Sequence, residues 1–134
     1  MLRLPKRPTR RFALLGLAAF FVVAGANHFV NPDFYVAIMP PYLPAHLELV
    51  YLSGLLEILG GMAVLVPRVR AMAGWGLVLL LLVVSLANIH MAFHPELFPD
   101  IPSLALFARL PLQIPFVAWA YWATRPEKGG ALSD

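Results

Sequence analysis

Four long apolar stretches constrain this chain more than any other feature. They cover residues 12–29, 47–66, 71–93 and 103–123, each about 18 to 23 residues long. As helices rising about 1.5 Å per residue, such stretches match a hydrocarbon core of about 30 Å. Inside a bilayer the backbone finds no water to bond, so a segment of this kind must close its own hydrogen bonds, and the helix does so. Proline and charge mark the breaks between them. Pro32, Pro40, Pro41 and Pro44 fall in the first break, Pro67 to Arg70 in the second, and Pro95, Pro99 and Pro102 in the third. Proline has no N–H and interrupts a helix, so these breaks read as loops.

Composition agrees. Charged residues make up 13% of the 134-residue chain and hydrophobic ones 60%, whereas a soluble domain carries about a quarter charged residues. The net charge of +3 is not a nucleic-acid footprint, because its sources are clustered. Arg3, Lys6, Arg7, Arg10 and Arg11 precede the first apolar stretch, Arg68 and Arg70 lie in the second break, and Arg125 and Lys128 follow the last stretch. The other two breaks carry Asp33, Glu96 and Asp100 and no Lys or Arg. The positive-inside rule then gives both termini and the 67–70 turn to the cytoplasm. The expected fold is all-α: an integral membrane four-helix bundle, N-in/C-in. It has a basic cytoplasmic segment at 1–11, a four-helix domain over 12–123 and a cytoplasmic tail at 124–134. A competing reading treats Ala24-Gly25-Ala26 as a signal-peptide cleavage site behind a basic and an apolar segment, which would leave three helices. A short repeat, Ala26-Asn27-His28 against Ala87-Asn88-Ile89-His90, suggests two helical hairpins in parallel.

Polar groups inside apolar helices are costly and need a reason. Glu57 falls about ten residues into the second stretch, roughly 15 Å deep. Arg109 falls roughly 9 Å into the fourth, with Gln113 one turn further on the same face. Asn88 lies near the end of the third stretch and His28 at the end of the first. All five lie in the half away from the basic clusters. Ser53, Gly54, Glu57, Gly60 and Gly61 recur at helical spacing, a strip on which another helix can pack closely. Pro111 and Pro115 each free a carbonyl one turn earlier and add polarity around Gln113. Together these residues point to a polar pocket with Glu57 and Arg109 as its charged pair, or to a buried pair that only holds the helices in register. An unpaired carboxyl at that depth is expected to be neutral.

His90 and His94 are four apart, a spacing that suits a metal. His90 lies about 200° around the helix from Asn88, however, and no further ligand cluster accompanies it. Trp75, Trp119, Trp122, Tyr51 and Tyr121 sit mostly near segment ends, as an aromatic belt does. Cysteine is absent, which excludes thiolate chemistry and cluster ligation by this chain. No phosphate loop, nucleophile elbow or zinc-protease helix occurs, so no catalytic constellation is complete.

His28-Phe29, Pro32, Met39-Pro40-Pro41, Ser53-Gly54 to Glu57-Ile58-Leu59-Gly60-Gly61, Pro67-Arg68, Ala87-Asn88 and Arg109-Leu110-Pro111-Leu112-Gln113 resemble the DoxX family of bacterial membrane proteins. The resemblance covers nearly the whole chain beyond its first dozen residues. It implies a four-helix protein of the bacterial inner membrane and an association with redox chemistry, one relative being a subunit of a thiosulfate:quinone oxidoreductase. It also implies that His28, Glu57, Asn88, Arg109 and Gln113 belong to one site. The expected function is a redox-associated accessory or anchor subunit with an outward-facing polar pocket. A quinone-binding subunit and a small proton-coupled transporter are the alternatives. The expected partners are the lipid bilayer and a redox protein or a second copy of the chain.

Overall fold

A computed structural model describes residues 2–128. Met1 and residues 129–134, the larger part of the expected 124–134 tail, lie outside the described residues. The chain is all-helical: α1 Pro8–Val30, α2 Pro32–Ala37, α3 His46–Ala63, α4 Arg70–Phe93 and α5 Ser103–Thr124, with a 3-10 turn at Pro95–Leu97. α1, α3, α4 and α5 are each long and apolar enough to cross a membrane.

Local chemistry explains where the elements depart from expectation. α1 begins at Pro8 rather than at residue 12, because proline at the first helical position gives up an N–H that would have no partner there. The first break is not all loop. Pro32 starts α2 in the same way, with Asp33 in its first turn. α3 ends at Ala63, not at 66. Its last bonds shorten to Leu65 N–H on Met62 O and Val66 N–H on Ala63 O, and Pro67 offers no N–H to continue the helix. Arg70 then caps the end, donating to the carbonyls of Val64 at 2.7 Å and Leu65 at 3.3 Å.

The long helices form two tight pairs, α1 with α3 and α4 with α5. The pairs join at the end where the basic residues lie. There Leu14, Leu17, Phe21, Val64, Leu77 and Ala120 form a continuous buried core drawn from α1, α4, α5 and the turn that follows α3. Trp119 donates its indole N–H to Ala13 O at 2.9 Å, and Phe20 stacks on Phe116 with ring centroids 5.2 Å apart. At the opposite end the only core cluster among the described residues is Met91, Phe98 and Leu106. It ties α4 to α5 and reaches neither α1 nor α3. The two pairs therefore hold together at the basic end and leave a space between them at the other.

The basic end has its own polar fastening. Arg125 donates to Ala71 O at 2.7 Å and lies 5.0 Å over the ring of Trp75. The Glu127 carboxylate accepts from the backbone N–H groups of Arg7 at 3.1 Å and Lys6 at 3.2 Å, next to the start of α1. The Arg7 amide holds this carboxyl below its ordinary value of 4.5. Slight desolvation opposes the shift, and the Lys6 amide and the charges of Arg10 and Arg7 add to it. A depressed carboxylate stabilises the folded state above its unfolded pKa, and that contribution is lost as pH falls through the lower folded value. Lys6 and Arg7 amides are thus expected to be protected from hydrogen exchange at neutral pH and released in acid below the usual carboxylate range. Glu127→Ala is expected to release them at every pH; equal protection in that variant would contradict the contact.

Candidate functional site

The α1–α3 crossing sets the site. Gly25 and Gly54 face each other so closely that a Cβ on Gly25 would lie 2.5 Å from Gly54 O and 2.8 Å from Ile58 Cγ1. A Cβ on Gly54 would lie 2.6 Å from His28 Cβ. Gly61 meets α1 as well, where a Cβ would be 3.0 Å from Ala18 O. The strip of small residues thus works as close helix packing does in membranes, and Gly25 has a packing use of its own. Gly60 instead faces Leu77 on α4.

That approach brings His28 and Glu57 together. His28 Nε2 lies 3.5 Å from Glu57 Oε2, and both side chains are buried. His28 Nδ1 lies 3.0 Å from the carbonyl of Val50 and 3.0 Å from Ser53 Oγ, and the Ser53 hydroxyl donates to Val50 O at 2.9 Å. A carbonyl only accepts, so Nδ1 carries the hydrogen. Nε2 is then the nitrogen that faces the carboxyl. Glu57 Oε2 has no hydrogen-bond partner at that distance, so the two groups are close neighbours rather than a bonded pair.

Tyr35 completes this arrangement and was not anticipated. Its ring stacks on His28 with centroids 3.9 Å apart and 26° between planes, and its hydroxyl accepts from the Asn27 amide at 2.7 Å. The signal for it was Pro32 at a helix start, which turns the loop into α2 and carries Tyr35 back over α1.

Across from these groups lies a cavity of about 1000 Å³ between the two helix pairs. His28, Ser53 and Glu57 line it from α1 and α3, Asn88 from α4, and Arg109 and Gln113 from α5. All six sequence-predicted pocket residues therefore border one space. The expected Glu57–Arg109 pair is not formed: among the described residues the one close partner of the Glu57 carboxyl is His28. The α1–α3 glycines decide this, since they bring α1, not α5, against α3. Arg109 is half-buried and donates to Met91 Sδ at 3.4 Å. Gln113 Oε1 is buried with no hydrogen-bond partner.

The rest of the wall is apolar. Leu56 and Leu59 of α3 and Leu79 and Val83 of α4 line the cavity and are exposed. Ile38, Met39 and Leu43 close it over the end bearing α2. The exposed lining residues thus belong to α3 and α4, one helix from each pair. His90 and His94 stand apart, their rings 4.5 Å apart, beside a small hollow lined by Tyr42 and Phe93. Among the described residues no group of three His, Cys, Asp or Glu side chains could hold a metal, so this pair has no third ligand.

The model of a family described as a domain of unknown function (DUF8561) matches residues 17–124. The chain belongs to that family. The DoxX resemblance is corrected by this assignment. The residues that carried it have general physical uses in this DUF8561 chain: glycines where helices touch, prolines at helix ends, and polar groups around a cavity. The redox expectation rested on that resemblance and has no other support. No curated protein and no solved structure matches the chain.

Proposed function

We propose that this chain is a four-helix bundle of the bacterial inner membrane, with both termini in the cytoplasm, that binds a lipid-soluble amphiphile between its two helix pairs. The placement of nine of the ten basic residues at one end supports the orientation. The large apolar side chains exposed along the outer faces, among them Phe12, Leu104 and Ile114, fit contact with acyl chains.

One observation carries the binding reading: the cavity of about 1000 Å³ is mostly apolar, yet it gathers polar side chains from all four long helices. Ligand sites are mostly apolar hollows of about 300 to 1000 Å³ with a few convergent polar groups. An apolar cavity that opens between membrane helices takes its occupant from the bilayer. A molecule with an acyl or prenyl tail and a small polar head matches both parts of the wall. A quinone is one such molecule, and the ability to bind it would not require this chain to transfer electrons.

The test is the lipid that stays with the protein. Extracted from its own membrane in mild detergent without added lipid, the protein is expected to carry one amphiphile per chain in native mass spectrometry. A chain that emerges without any stoichiometric companion would contradict the proposal.

A further inference from the structure

From the charge inventory of the cavity we infer that the bound amphiphile has a singly negative head, held by Arg109 with help from Gln113. The inference rests on the binding reading above and deepens it. Three side chains that can carry charge near neutral pH line the cavity: His28, Glu57 and Arg109. His28 and Glu57 lie 3.5 Å apart and are each other's close neighbours, away from Arg109. Arg109 brings a guanidinium cation to the same space. The charge of Arg109 is therefore not met by the His28–Glu57 pair.

That charge has no anionic neighbour in the protein. Among the described residues no carboxylate lies within 4.0 Å of the Arg109 guanidinium, and its one hydrogen bond goes to a thioether, a weak acceptor. A guanidinium in an apolar membrane region is costly without a counter-ion, and its planar fork suits the paired oxygens of a carboxylate or phosphate. Gln113 lies one turn away on the same helix face, half-buried, with its Oε1 buried and without a partner. Rotation of that amide presents an N–H₂ in the same place, so Gln113 can donate to a second oxygen of the head. The His28–Glu57 pair supplies polarity on the opposite wall. A neutral or cationic head would leave Arg109 uncompensated.

A carboxylate head and a phosphodiester head share this chemistry, and the probes separate them. The delipidated full chain in a neutral detergent is titrated with palmitate, with hexadecanol, with phosphatidylglycerol and with phosphatidylcholine, and occupancy is read by native mass spectrometry. Wild type is expected to prefer palmitate over hexadecanol at least tenfold if a fatty acid is the occupant, or phosphatidylglycerol over phosphatidylcholine if a phospholipid is. Arg109→Gln is expected to reduce that preference to within twofold while leaving the uncharged partner bound as before. Arg109→Lys keeps the charge and is expected to retain part of the preference, which covers the case in which Arg109→Gln fails to fold. Equal binding of acidic and uncharged probes by wild type would overturn the inference, as would a preference that survives Arg109→Gln. In both outcomes the cavity reading stands, because the probes still bind. If none of the four probes binds, the cavity reading fails and takes this inference with it.

Discussion

Gly25→Ala and Gly54→Ala are expected to destabilise the protein by about 1 to 3 kcal/mol each, the usual cost of overpacking a well-filled contact. Either methyl would press on the backbone of the facing helix, 2.5 Å from Gly54 O in one case and 2.8 Å from Gly25 O in the other. Backbone cannot step aside as the end of a side chain can, so the helices must separate. Separation also moves His28, whose Cβ would lie 2.6 Å from the new methyl on Gly54. Gly76→Ala is the comparison. Nothing lies within 4 Å of its Cβ position, and alanine is the better helix former by about 0.8 to 1 kcal/mol. Its unfolding midpoint in detergent should stay level or rise while the other two fall. Three equal midpoints would mean that the α1–α3 crossing is not as close as described.

Ala87→Trp is expected to empty the cavity of its occupant without unfolding the protein. Ala87 is half-buried on α4 beside Asn88 and lines the cavity. An indole there enters open space rather than a packed core, so the overpacking cost that applies at Gly25 is not incurred. A tryptophan side chain covers about 150 to 250 Å², enough to replace much of a ligand's contact with the wall. The amphiphile carried by wild type should fall from one per chain to less than a tenth of that, with an unchanged or higher unfolding midpoint. Leu104→Trp places the same bulk on α5 at a side chain that is 82% exposed, and should leave occupancy alone. Equal occupancy in wild type and Ala87→Trp would place the lipid on the outer surface.

Much of this architecture was legible in the chain because helices long and apolar enough to cross a membrane obey a simple rule of length and apolarity. The four spans were readable to within a few residues at most ends. Their departures came from proline: Pro8 and Pro32 start helices, and Pro67 helps end one early. The convergence of His28, Ser53, Glu57, Asn88, Arg109 and Gln113 on one space was also readable, since polar groups in hydrocarbon turn toward each other. Which of them touch was not. Glu57 meets His28 rather than Arg109 because two glycines far apart in sequence, Gly25 and Gly54, let α1 and α3 approach. No spacing within either helix reveals that partnership. Tyr35 was hidden for a related reason, because its place over His28 depends on α2 folding back. The DoxX resemblance misled because the residues that carried it serve close packing, helix ends and buried polarity, uses that are not particular to one family.

The central claim is that lipid-derived molecules enter the space between the two helix pairs. Photo-cross-linking with a diazirine-bearing palmitate in native membranes tests it most directly, with adducts located by peptide mass spectrometry. The expected adducts fall on residues that face the cavity, Ala24, Leu80, Ala87 and Phe116, and disappear in Ala87→Trp. Adducts confined to the exposed side chains Phe12, Leu104 and Ile114 would contradict the claim and leave an all-helical protein whose interior polar groups serve packing alone.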